Sequence, residues 1–113
     1  MATEASDLHV CDAAVGLAFS VLGKRWNGMI IDALSAGPLS FAVLRRTVNG
    51  ISDAMLADRL TELTDVSLLT RTVDPGPPVA VSYALTPGGE RLLPILHQLG
   101  QWASANLVVA HKP

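Results

Sequence analysis

The most regular hydrophobic pattern in the chain lies in residues 51–68, ISDAMLADRLTELTDVSL. Leu56, Leu60 and Leu63 recur at helical spacing and make one apolar stripe. The opposite face carries Ala54, Asp58, Thr61 and Asp65. Ser52 marks the helix start, because its hydroxyl can accept a bond from an orphan N–H of the first turn. Asp53 follows, and its charge suits the positive end of a helix. The polar turn Val48-Asn49-Gly50 precedes this element. Before the turn, Ser40 caps a short helix, FAVLRRTV, with Phe41, Leu44 and Val48 inward and Arg45 and Arg46 mainly outward.

Upstream, residues 12–22 (DAAVGLAFSVL) are apolar nearly all round, which predicts a helix buried on more than one side. In a chain this short, the second burial partner is expected to be another subunit. Gly23-Lys24-Arg25-Trp26 breaks that helix and opens the next, over residues 26–35, with Trp26, Met29, Ile30, Ala33 and Leu34 along one side. Gly37-Pro38 stops it. Downstream, residues 69–73 alternate apolar and polar as a half-buried strand does. Asp74-Pro75-Gly76-Pro77-Pro78 is a turn with stiff φ angles and missing donors, and residues 79–85 form the return strand. Thr86-Pro87 starts the last helix, although Gly88 and Gly89 weaken its first turn. Leu92, Leu93, Ile95, Leu96, Leu99, Trp102 and Ala103 then make an apolar surface too wide for one neighbour. Helix, turn, helix, then hairpin is the order of a winged helix-turn-helix: mainly α, with a small β-hairpin wing. Residues 51–68 are then the helix that enters a DNA major groove.

Composition changes this picture little. The 113 residues are expected to form one domain, and half of them are apolar. No stretch approaches the roughly 18–20 apolar residues of a membrane span. The first ten residues lack a basic region followed by an apolar one, so no secretory signal is expected. One cysteine cannot form an intrachain disulfide, which fits a reducing cytoplasm. Charge matters more. The formal net charge of −2 argues against a nucleic-acid binder held by bulk charge alone. Between residues 40 and 72, Arg45, Arg46, Arg59 and Arg71 face Asp53, Asp58, Glu62 and Asp65. A carboxylate beside a polyanion lowers affinity, so binding should be weak or selective.

Candidate chemistry is correspondingly narrow. His9, His97 and His111 are scattered, and no nucleophile elbow, phosphate-binding glycine loop or paired-histidine motif occurs, so neither a catalytic site nor a cofactor is expected. His9 and Cys11 with Asp7 and Asp12 fall short of the paired ligands of a structural metal site, and no metal is expected. Cys11 itself has two readings. One is a small buried apolar residue. The other is a redox or electrophile sensor activated by a helix N-terminus, with Asp12 beside it opposing the thiolate. For DNA, Arg45, Arg46, Lys24, Arg25 and Arg71 can hold phosphates. Asp53 and Asp58 can accept a bond from cytosine N4, while Ala54 and Ala57 can touch thymine methyls.

These residues resemble the HxlR-type (DUF24) family of bacterial winged-helix transcriptional regulators. The resemblance runs from Cys11 to about Trp102. It rests on Cys11 before the first helix, on Gly23-Lys24-Arg25-Trp26, and on Phe41 with Leu44-Arg45-Arg46. It continues through Ile51-Ser52, Met55-Leu56, Arg59-Leu60 and Glu62-Leu63, then Pro77-Pro78-Val79, Val81, Tyr83 and Leu85-Thr86. The resemblance implies a homodimer through the N- and C-terminal helices. Two recognition helices would meet successive major grooves of a palindromic operator, roughly 34 Å apart. It also implies an effector: an oxidant or electrophile acting at Cys11, or a small molecule near the dimer interface. The chain departs from the pattern at Asp58 and Thr61, where family members often carry Gln or basic residues. It departs again at Thr64-Asp65-Val66-Ser67-Leu68, where the usual glycine turn is lost.

The expected organisation is a flexible segment over residues 1–10, the winged domain over 11–107 and a tail over 108–113. The expected groove face is Ser52, Asp53, Ala54, Ala57 and Asp58, with Arg59 at its edge. The alternative, from another functional class, is a winged-helix protein–protein module with weak or lost DNA binding, motivated by the acidic groove face.

Overall fold

The computed structural model describes residues 12–108. The expected flexible segment and Cys11 lie outside the described residues, as does most of the expected tail. The elements are α1 (Ala13–Leu22), α2 (Asn27–Ala33) running into a 3-10 turn (Leu34–Ala36), β1 (Leu39–Ser40), α3 (Phe41–Thr47), α4 (Asp53–Asp65), β2 (Leu69–Asp74), β3 (Ala80–Leu85) and α5 (Pro87–Asn106). The strands form one antiparallel sheet of order β1-β3-β2. Among the described residues no helix is long and apolar enough to cross a membrane.

The core is small and lies in the middle of the chain. It comprises Ile30, Ile31, Leu34, Leu44, Val48, Ile51, Leu56, Leu60, Leu63 and Leu69. The leucine stripe of α4 is fully buried, as its spacing predicts. α1 and α5 only cover this core, α1 with the half-buried Val21 and Leu22 and α5 with Leu92, Leu93 and Leu96, and neither buries a large apolar side chain fully. Both therefore expose what the sequence made apolar: Val15, Leu17 and Phe19 on one, Ile95, Leu99 and Trp102 on the other.

The structure corrects the sequence reading at four places. First, α2 is rotated from its expected setting. Asn27, Ile30, Ile31 and Leu34 face inward, and Met29 is 52% exposed. Trp26 does not start the helical turn but caps it in a left-handed conformation, φ 84°. Second, residues 39–40 form a short third strand, pairing Leu39 with Tyr83 and Ser40 with Ser82. Two residues are too few to show an alternation. Third, the wing is not half-buried along its first strand. Only Leu69 of β2 is buried, because the hairpin projects past the sheet's last neighbour.

Fourth, the turn after α4 survives the loss of its glycine. Ser67 takes φ 65°. The Leu68 N–H donates to Leu63 O at 3.0 Å and the Ser67 N–H to Thr64 O at 3.0 Å, the bond pair of a Schellman helix end. The start of α5 is built onto this turn. Thr86 donates its N–H to Leu68 O at 3.0 Å and its hydroxyl to Ser67 O at 2.7 Å. Its Oγ1 in turn accepts the Gly89 N–H at 3.1 Å. A Cβ on Gly89 would stand 2.4 Å from Leu68 O, so this glycine is required for the close approach rather than a weakness of the helix start.

A left-handed conformation costs a non-glycine residue about 1 kcal/mol. The Ser67 hydroxyl makes no hydrogen bond to any described residue that would offset it. Ser67→Gly should therefore raise stability by about 0.5–1 kcal/mol and the thermal midpoint by a few degrees. Thermal unfolding followed by circular dichroism checks this, and an unchanged or lower midpoint would contradict it.

Candidate nucleic-acid interface

Two serine-capped helix starts frame the candidate interface. Ser40 Oγ accepts the Val43 N–H at 3.2 Å at the start of α3, and Ser52 Oγ accepts the Met55 N–H at 3.1 Å at the start of α4. Burying Leu56, Leu60 and Leu63 turns Ser52, Asp53, Ala54, Ala57, Asp58, Thr61 and Asp65 to solvent. The small side chains of Ala54 and Ala57 leave the middle of this face low, with acids at either side. Met55, 41% exposed, flanks it, although the sequence pattern marks it only as a motif position and not as part of the groove face.

The charges that the sequence could only count are paired in space. Arg45, in the last turn of α3, reaches Asp53 with Nη1 3.1 Å from Oδ1. Arg59 pairs with Asp58 and holds Glu62 Oε1 at 3.2 Å. Lys24, in the turn between α1 and α2, pairs with the other oxygen of Glu62. Arg25 lies over the Trp26 ring, 4.4 Å from its centroid. Arg46 and Arg71 are exposed and show no ion pair among the described residues. Arg71 stands on β2 opposite Tyr83. Each aspartate of the expected groove face thus has an arginine beside it, Asp58 sharing Arg59 with Glu62, and the face is closer to neutral than to acidic.

Arg59 differs from the rest. Only 14% of its side chain is exposed, so it is tucked against Glu62 rather than projecting at the groove edge. Glu62 is the centre of this cluster. Its Oε1 also accepts from Asn27 Nδ2 at 3.3 Å, and that same amide donates to Val21 O at 2.8 Å. The hydrogen bond from Lys24 holds the Glu62 carboxyl below the usual glutamate range. Partial burial pushes the other way, and the Asn27 bond and the Arg59 charge add to the lowering. From sequence, Glu62 is one of four acids and a motif position, with nothing to mark it as a hub, and Asn27 is not a candidate at all. One signal was available: Asn27 holds the first place in a run whose third, fourth and seventh successors, Ile30, Ile31 and Leu34, are apolar. Among the described residues no cluster of three or more His, Cys, Asp or Glu side chains could hold a metal ion.

Comparison with known proteins places this geometry. The HxlR-like helix-turn-helix family model matches residues 21–111. The chain is similar to the HTH-type transcriptional regulator YodB of Bacillus subtilis (strain 168), at 45% identity over 86 residues, which cover 76% of this chain and 77% of YodB. The solved reduced form of YodB superposes with a TM-score of 0.80 at 38% identity, covering 90% of this chain and 100% of that one. The redox regulator HypR in its oxidized form superposes with a TM-score of 0.77 at 31% identity, covering 85% of this chain and 99% of that one.

The Glu62 cluster has a pH signature. A carboxyl whose folded pKa is lowered adds stability above its unfolded pKa and loses it as pH falls through the folded value. Glu62→Gln should therefore lower the thermal midpoint near neutral pH, by an amount corresponding to about 1 kcal/mol. The gap between the two proteins should close as pH falls below the ordinary value of 4.5. A gap independent of pH from 7 to 3 would contradict the role given to the carboxylate.

Proposed function

This chain belongs to the HxlR-like helix-turn-helix family, and from that premise we propose that it is a transcriptional regulator that binds double-stranded DNA as a homodimer on a palindromic operator. The observation that carries this reading is α4 itself. It is a capped helix, locked by three buried leucines, that turns a shallow and nearly neutral face outward beside an arginine-bearing wing. That face enters the major groove, where Ala54 and Ala57 meet thymine methyls and Asp53 and Asp58 accept from cytosine N4. Arg46 and Arg71 bind phosphates without first giving up a partner. Arg45, Lys24 and Arg25 bind by exchanging or sharing theirs, which is inexpensive because exposed ion pairs contribute only about 0–1 kcal/mol. Arg59 stays with Glu62 and supports the helix from behind.

The second copy packs on α1 and α5. Six large apolar side chains exposed on these two helices, each more than two-fifths accessible, support that placement. Two such protomers would present their α4 helices to successive grooves. Regulation runs through Cys11, which directly precedes the helix-capping Asp12 in sequence. Similarity to YodB and to the redox regulator HypR supports an oxidant or electrophile as effector. The protein is expected to act in the cytoplasm. The protein-module alternative was motivated by a bare acidic face, and the arginines paired with Asp53 and Asp58 weaken that motive.

Two predictions test the reading on duplex DNA from upstream of the protein's own gene. Arg46→Ala and Arg71→Ala should each weaken binding to all sequences alike and reduce the salt slope by about 1.8, one contact of about 0.9 from each chain of the dimer. A change in sequence preference at constant salt slope would give these residues a different role. Cys11→Ser should abolish any loss of DNA binding caused by peroxide or a quinone, and an equal response in both proteins would remove Cys11 as the sensor.

A further inference from the structure

The first helix is attached to the domain almost entirely at one end. Residues 13–20 are all exposed, and only Val21 and Leu22 are half-buried. At that end sits Asn27, with no exposed surface. Its Nδ2 donates to the Val21 carbonyl in the last turn of α1 and to Glu62 Oε1 on α4. Both partners are acceptors, so the orientation of the amide is determined. Its Oδ1 is buried and accepts no hydrogen bond from any described residue. A buried amide with an orphan oxygen is costly, and an apolar residue of similar size would fill the same space without that cost. Buried polar groups of this kind serve best as devices that specify one arrangement. Glu62 completes the connection. Its second oxygen holds Lys24 from the turn after α1, and its first holds Arg59, which in turn holds Asp58 on the outward face of α4.

We infer that Asn27 and Glu62 are positioning residues that tie the end of α1 to α4, so that a change in the seating of α1 is passed to the outward face of the recognition helix. The path is short and continuous: Val21 carbonyl, Asn27, Glu62, Arg59, Asp58. It runs beside the leucine core, which fixes the rotation of α4 about its own axis and touches α1 only through the half-buried Val21 and Leu22. That the outward face reads DNA rests on the function proposed above; that the two helices are tied does not.

The test measures the tie directly. Spin labels are placed at Ala14→Cys on α1 and Ala57→Cys on α4, in the full chain carrying Cys11→Ser. The labelled protein is diluted with unlabelled protein so that a dimer carries one labelled chain. The parent should give a single narrow distance distribution. Glu62→Gln and Asn27→Leu should each broaden or shift it while helix content is unchanged, and Glu90→Gln, an exposed acid on α5, should leave it alone. If Asn27→Leu does not fold, Glu62→Gln decides. A loss of thermal stability with an unchanged distribution is what a merely structural role would produce, and it would overturn the inference. Asn27→Leu, which alters no charge, should in unlabelled protein weaken promoter binding about tenfold, the size of a typical coupling between sites, with the salt slope unchanged. Altered distances with unaltered affinity would also overturn it. If the parent chain binds no promoter DNA, the proposed function falls, and the distance measurement still decides whether the helices are tied.

Discussion

Burial of Leu56, Leu60 and Leu63 is the constraint on which the rest of the molecule depends. Each leucine taken fully out of water contributes about 2 kcal/mol, and the three lie on one side of one helix. No surface ion pair competes with that, since exposed pairs contribute at most about 1 kcal/mol. The rotation of α4 is therefore set by its core side, and the composition of its solvent side follows. Ser52, Asp53, Ala54, Ala57 and Asp58 face outward because nothing polar on that side is strong enough to turn them in. The end of the helix is set equally firmly. The left-handed turn at Ser67 receives the start of α5 through Thr86, so the wing and the last helix are both placed relative to the reading face.

Charge acts at a second level, as adjustment rather than architecture. Arg45 with Asp53 and Arg59 with Asp58 convert a face that reads as acidic into one that is locally balanced. A polyanion approaching such a face meets movable cations rather than fixed repulsion. The Glu62 cluster is different in kind. It is partly buried, saturated with donors and set between three segments, so it holds a geometry instead of screening a charge.

Much of this was legible in the sequence because it is periodic. The leucine stripe, the two serine caps, the proline-built hairpin tip and the apolar excess on the terminal helices all follow from spacing and residue type. What failed was what periodicity cannot carry. The α2 run holds apolar residues at Met29, Ile30, Ile31, Ala33 and Leu34, so more than one inward face is consistent with it; packing chose Ile30, Ile31 and Leu34 and left Met29 in solvent. The strand at residues 39–40 exists only because β3 lies beside it. The Ser67 turn persists without glycine because the hydrogen bonds at the helix end outweigh a local penalty of about 1 kcal/mol. Of the candidate DNA contacts, sequence named the cations but not their partners, since Lys24 and Glu62 are 38 residues apart. Asn27 was visible as a polar residue in an apolar register, and only its two acceptors show why it is there.

The central claim is that the outward face of α4 reads DNA in a paired, two-chain arrangement. The most direct measurement is a titration of the purified protein against DNA upstream of its own gene, with complex mass and salt dependence followed together. The account predicts a saturable complex of two chains per site, preferred over unrelated duplex, whose affinity falls linearly on a log–log plot against salt. A folded protein that shows no complex at low salt, or one that binds all duplexes equally, would contradict it.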